Sequence, residues 1–134
     1  MPEVIDKNNP FGGLKYSLGI IKILKFAIKY AKENKCKIIF PLKRDKLLQK
    51  RIYDDSDSQL KKQLTKNEYN FFISNSSEKN SYKYSSYFSV FQSQLTIASS
   101  STMLKERLGT GGKVLACNYT NLNFNDFPVK GICF

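Results

Sequence analysis

Histidine is absent from the chain, and that gap removes more chemistry than any other. Without imidazole there is no Ser–His or Cys–His nucleophile pair, and zinc loses a common ligand. Cysteine is scarce too. Cys36, Cys117 and Cys133 have no close-paired spacing and read as buried free thiols of a cytosolic protein. Arginine is confined to Arg44, Arg51 and Arg107. The other cations are lysines, which lack the planar fork that reads guanine edges. No apolar run reaches the roughly 18 residues a membrane span needs. Met1 to Lys7 has no apolar stretch behind a basic end and does not read as a secretory signal.

What remains suffices for one folded domain. The 134 residues are 41% hydrophobic and 13% aromatic, enough to build a core. The formal charge is +11, which predicts attraction to anionic partners: nucleic acid, acidic lipid or phosphorylated ligands. The same excess also fits a compositional bias with no binding role.

Residues 1–13 read as a polar arm ending in the turn signal Asn9-Pro10-Phe11-Gly12-Gly13. From Leu14 to Asn34 the periodicity predicts a long amphipathic helix. Ile20, Ile21, Ile23, Leu24, Ala27, Ile28, Tyr30 and Ala31 share one half of its wheel, and Lys15, Lys22, Lys25, Lys29 and Lys32 the other. The lysine stripe suits peripheral contact with an anionic membrane, but so wide an apolar arc needs a protein partner. Lys37 to Leu42 predicts a strand covered on both faces, since its apolar residues are consecutive, with Pro41 marking its end. Lys43 and Arg44 lie just beyond.

Asp54 to Ser58 reads as an acidic linker and Leu60 to Leu64 as a short helix. Thr65-Lys66-Asn67-Glu68 has capping-box spacing and opens another helix. Ser74 to Ser81 reads as a loop, and Tyr84 to Gln92 as a helix anchored by Tyr87, Phe88 and Phe91. Leu95 to Ala98 then predicts a short buried strand. Ser99, Ser100, Ser101 and Thr102 supply a turn and an N-cap, and Met103, Leu104 and Leu108 give the following helix its apolar side. Gly109-Thr110-Gly111-Gly112 follows a helix and precedes a strand, the reverse of a phosphate loop, so it reads as a helix C-cap and turn. Lys113 to Cys117 is a strand, Tyr119 to Pro128 a loop, and Val129 to Phe134 a last short strand. With right-handed crossovers this order predicts an α/β fold: a small parallel, Rossmann-like sheet with helices on both faces.

In such folds the ends of strands and the starts of helices form the functional edge, where amides and the helix dipole favour anions. The hydroxyl run, Lys43 and Arg44 are the candidate phosphate contacts. Glu106, one turn into the helix, is a candidate acceptor for ribose hydroxyls, and Asn118 lies at the end of the strand after it. The plainer alternatives are a helix cap, solvated loop charges and a surface glutamate paired with Lys105 or Arg107.

Thr96 to Leu108, then Gly111, Lys113-Val114-Leu115 and Cys117-Asn118, resembles the donor-binding C-terminal half of GT-B-fold glycosyltransferases. More narrowly it is similar to bacterial surface-carbohydrate biosynthesis transferases, and more distantly to glycerophosphotransferase and polysialyltransferase groups. Ile38 to Lys43 is similar to the family strand that ends in a basic, Pro-containing turn. The resemblance covers Lys37 to Asn118 with gaps. It implies that Ser99 to Thr102 bind donor phosphates, that Glu106 and Asn118 meet ribose or sugar, and that Lys43 or Arg44 neutralises diphosphate charge. It also implies a nucleotide-activated sugar as donor, a glycan acceptor, no further cofactor and no metal. Nucleic acid is then disfavoured as a partner, and the expected place is the cytoplasm, at the inner face of the membrane if the basic stripe is used. The basic turn lacks the histidine that relatives often have, and the helix carries one glutamate where many GT-B enzymes carry two. The resemblance leaves the family's N-terminal acceptor domain and its catalytic base without a counterpart in these residues. Residues 14–134 are thus expected to be part of a longer two-domain enzyme, binding donor but not catalysing alone.

Overall fold

The computed structural model describes residues 13–41, 59–77, 85–99, 101–119 and 126–127. Helix α1 (Gly13–Asn34) is the amphipathic segment expected from the periodicity. Ile21, Ile23, Leu24, Ala27, Ile28 and Ala31 are buried, as predicted, whereas Tyr30 is 51% exposed and stands outside the core. Lys35 ends the helix in the left-handed region at φ 52°. The amide of Cys36 donates back to the Ala31 carbonyl at 3.1 Å, which satisfies one of the last orphan acceptors.

Two short helices close over the apolar arc of α1: α2 (Gln59–Gln63) and α3 (Lys66–Ser74). Leu60 and Leu64 of the expected short helix are both buried. The predicted capping box is fully formed. Thr65 Oγ1 accepts from the Glu68 amide at 3.2 Å, and Glu68 Oε2 accepts from the Thr65 amide at 2.8 Å. The core joins Ile21, Leu24, Ala27 and Ile28 to Phe40, Leu60, Leu64, Tyr69 and Phe72. Phe72 is wholly buried, its ring edge-on to Phe40 with centroids 5.3 Å apart. Lys25 crosses from the lysine stripe to this assembly, donating to the Gln63 carbonyl at 3.0 Å and lying 3.9 Å from Glu68 Oε2. Lys32 sits over the Phe71 ring, 5.0 Å from its centroid.

The α/β class and the parallel pairing are present, in two small two-stranded sheets among the described residues. The first pairs β1 (Phe40–Pro41) with β2 (Ser76–Ser77). This pair departs from expectation twice. The strand expected from Lys37 starts only at Phe40, and Ile39 is 40% exposed, so the segment is not covered on both faces. Its partner comes from a stretch expected to be loop. The reason is local: Asn75 closes the end of α3 and its carbonyl accepts the Phe40 amide at 2.9 Å, so the ladder starts at Phe40 and runs on through Ser76 and Ser77.

The second pair joins β3 (Leu95–Ala98) to β4 (Lys113–Ala116), with α5 (Thr102–Gly109) as the crossover. Helix α4 (Ser85–Gln92) packs against α5 and touches β1. Its expected anchors are reversed: Ser89 and Val90 are buried, while Tyr87, Phe88 and Phe91 are exposed. Nor is β3 a fully buried strand, since Leu95 is 43% exposed. Strand alternation places Thr96 and Val114 on the face covered by α5, and Leu95, Ile97 and Leu115 on the other. Among the described residues no helix is long and apolar enough to cross a membrane. The arm before Gly13, the acidic linker and the final strand from Val129 lie outside the described residues.

Phe72→Ala should lower unfolding free energy by about 3–5 kcal/mol and Thr65→Ala by about 1 kcal/mol in urea titrations. Equal, small losses would show that the α1–α3 core does not carry the fold.

Candidate functional site

Register sets the position of the site. Leu95, Thr96, Ile97 and Ala98 pair with Lys113, Val114, Leu115 and Ala116 in order, and the Cys117 amide donates to the Ala98 carbonyl at 2.9 Å. Both strands therefore end at the same rim. Ser99 follows one and Asn118 the other, so these two predicted residues share an edge, as the parallel reading requires.

Ser101 is the N-cap of α5. Its extended backbone, φ −147° and ψ 134°, lets Oγ accept from the Met103 amide at 3.3 Å. The Leu104 amide donates to the Ser101 carbonyl at 3.2 Å. The plainer alternative, that the hydroxyl run caps a helix, thus holds for Ser101. Thr102 is exposed at the first helical position. Ser99 is different from Ser101: it is 2% exposed, and among the described residues its Oγ, like that of Thr96, has no hydrogen-bond partner. A buried hydroxyl left unpaired costs about 1–3 kcal/mol, so it stands out on a rim where the neighbouring cap is satisfied. Ser100, Lys43 and Arg44 lie outside the described residues.

Glu106 is exposed, and its Oε1 accepts from the Tyr87 hydroxyl at 3.3 Å. Among the described residues it forms no ion pair with Lys105 or Arg107, the pairings considered for it. Asn118 Nδ2 donates to Asp126 Oδ1 at 2.6 Å, which adds a carboxylate to the rim that the sequence reading did not place there. Such a carboxylate disfavours phosphate beside Asn118 and favours hydroxyl groups.

Arg107 is the residue that sequence reasoning missed most clearly. One guanidinium nitrogen donates to the Ser93 carbonyl at 3.2 Å, and the group lies over the Phe91 ring, 5.5 Å from its centroid. It ties the end of α4 to α5. Gly111 takes φ +80°, and the amides of Gly111 and Gly112 donate to Leu108 and Arg107 carbonyls, both at 2.9 Å, forming the expected helix C-cap. Gly112 leaves room for the Arg107 side chain. A Cβ there would run into the Arg107 guanidinium. The scarcity of arginine was the available signal: one of only three guanidinium groups stands in the helix beside the site.

The cysteines depart from the expected burial. Cys36 is exposed and Cys117 half-buried, both as free thiols; Cys133 lies outside the described residues. Burial raises the Cys117 pKa above the ordinary thiol value. Among the described residues no three His, Cys, Asp or Glu side chains come together as metal ligands.

No protein-family model, curated protein or solved structure matches the chain.

Gly112→Ala should destabilise the protein by about 1–3 kcal/mol, and by far less once Arg107→Ala is present. The same loss in both backgrounds would separate Gly112 from the arginine. In alkylation mapped by mass spectrometry at mildly alkaline pH, Cys36 should be labelled well before Cys117, because burial limits both access and thiolate at Cys117. Equal rates would contradict the packing at the end of β4.

Proposed function

We propose that the chain is the donor-nucleotide-binding part of a glycosyltransferase, or a related glycan-phosphate transferase, acting in surface carbohydrate biosynthesis. The observation that carries this reading is the rim where parallel β3 and β4 end together. There a hydroxyl turn opens α5, and the Ser99 hydroxyl is buried without a partner among the described residues. The phosphates of a nucleotide-activated sugar would lie against this turn, with hydroxyls of Ser99, Ser100 and Thr102 and first-turn amides as donors. Ser101 contributes by holding the helix start in place. Lys43 and Arg44 are the cations proposed to neutralise diphosphate, at about 1.5–3 kcal/mol per charged hydrogen bond.

Glu106 and Asn118, the latter with Asp126, would take the ribose or sugar, because carboxylates and amides accept from hydroxyls. Tyr87 holds the Glu106 carboxylate from the side, so the acid is positioned by α4. Transfer itself would rest on positioning and on stabilising the departing diphosphate. The acceptor domain and a catalytic base would come from elsewhere, and the chain alone would bind donor without turning it over.

The competing reading is a basic binding module for nucleic acid or another polyanion, favoured by the charge of +11. Calorimetric titration of nucleoside diphosphates at two salt concentrations separates the two. The donor-site reading predicts selective binding of one nucleotide with weak salt dependence. It also predicts about a tenfold or greater loss for Lys43→Ala/Arg44→Ala, consistent with two charged contacts. Glu106→Gln should weaken nucleoside diphosphate more than inorganic diphosphate. Unselective binding that collapses steeply with salt would favour the polyanion reading.

A further inference from the structure

We propose that the outward face of α1 docks on an anionic lipid surface, with Phe26 and Tyr30 as aromatic anchors among lysine headgroup contacts. The wide apolar arc is consumed by the protein's own core, so it is not available to a partner. Two aromatic rings nevertheless remain on the other side. Phe26 and Tyr30 are each 51% exposed, and their rings stack with centroids 6.1 Å apart.

The lysines divide in the same way. Lys25 and Lys32 lean onto the α2–α3 layer, through the Gln63 carbonyl, Glu68 and the Phe71 ring. Lys15, Lys22 and Lys29 are exposed. At about 100° per residue, these three and the two aromatics fall within an arc of about 100°, extending about 22 Å along the helix. Glu33 is the only carboxylate on α1, and it lies 3.9 Å from Lys29 in an exposed pair of little strength. The face is therefore cationic, and its rings sit in the middle of the charge.

That composition fits an interfacial helix: lysines at headgroup phosphates and aromatics at the boundary with the acyl chains. Shape and residue type favour lipid over nucleic acid. The outer side of a helix is convex and meets a planar surface readily, whereas single strands are held in grooves. There is no arginine on α1 to fork onto a base or a phosphate. The contact is shallow, because the helix carries too many lysines and is not apolar enough to enter the bilayer. This inference does not depend on the donor site, which lies at the rim of β3 and β4.

The test uses the full chain and vesicles of phosphatidylcholine, with or without about one-third phosphatidylserine. Wild type should cosediment with the anionic vesicles and hardly at all with the neutral ones. Lys22→Gln/Lys29→Gln should reduce the partition coefficient by about tenfold or more, and Phe26→Ser/Tyr30→Ser by several-fold. Lys61→Gln/Lys66→Gln removes the same charge from other helices and should leave binding close to wild type. Phe26→Trp adds the chain's only tryptophan, whose emission should shift to the blue on anionic vesicles and be quenched by brominated lipid. Equal binding to both vesicle types would overturn the proposal, as would equal losses in the two lysine pairs or a tryptophan that stays in water. Binding to single-stranded RNA that exceeds vesicle binding and falls with the α1 variants would overturn it in favour of nucleic acid.

Discussion

The parallel ladder between β3 and β4 is the constraint on which the candidate site depends. Parallel strands need a crossover, and here α5 supplies it within a few residues of each strand. Because the pairing runs from Leu95 with Lys113 to Ala98 with Ala116, everything after Ala98 and after Ala116 emerges on one side. An antiparallel pairing of the same residues would send the hydroxyl turn and Asn118 to opposite ends. The buried Leu104 and Val114 hold the crossover helix on the ladder, and the Arg107 guanidinium locks it to α4. Packing thus sets the geometry that any ligand would meet.

The two halves of the molecule hold together by different means. Around α1, burial is the main force: Ile21, Ile28, Leu60 and Phe72 are almost completely removed from water. The capping box at Thr65 and the Lys25 bridge fix how the short helices enter that layer. Around β3 and β4 the apolar burial is thinner, and Leu95 and Leu115 stay partly in solvent. Directional contacts matter more there, including the Ser101 cap and the glycine-bearing C-cap of α5. A small sheet of this kind relies on its turns.

Much of this was legible in the sequence, for identifiable reasons. The periodicity of α1 and the Thr65–Glu68 spacing are local signals, and both became the expected structures. The Gly109 to Gly112 turn was legible for the same reason, as was Ser101 capping α5. Which face of an aromatic helix turns inward was not legible. Tyr87, Phe88 and Phe91 looked like anchors because aromatics usually bury, but α4 turns Ser89 and Val90 inward. Tyr30 was misplaced for a related reason: it sits at the edge of the apolar arc, where stacking on Phe26 competes with burial. The second strand of the first sheet was invisible because Ser76 and Ser77 have no strand propensity and pair only through the end of α3. In the candidate site, backbone position was readable, while the Tyr87–Glu106 and Asn118–Asp126 contacts were not, since both depend on tertiary approach.

The central claim is that the rim formed by the ends of β3 and β4 receives an anionic nucleotide. Amide-resolved NMR titration of the intact chain with a nucleoside diphosphate tests it most directly. The account predicts saturable shifts concentrated at Ser99, Thr102, Met103 and Asn118, with α1 silent. Shifts confined to the exposed lysines of α1, or scattered over the surface without saturation, would contradict it.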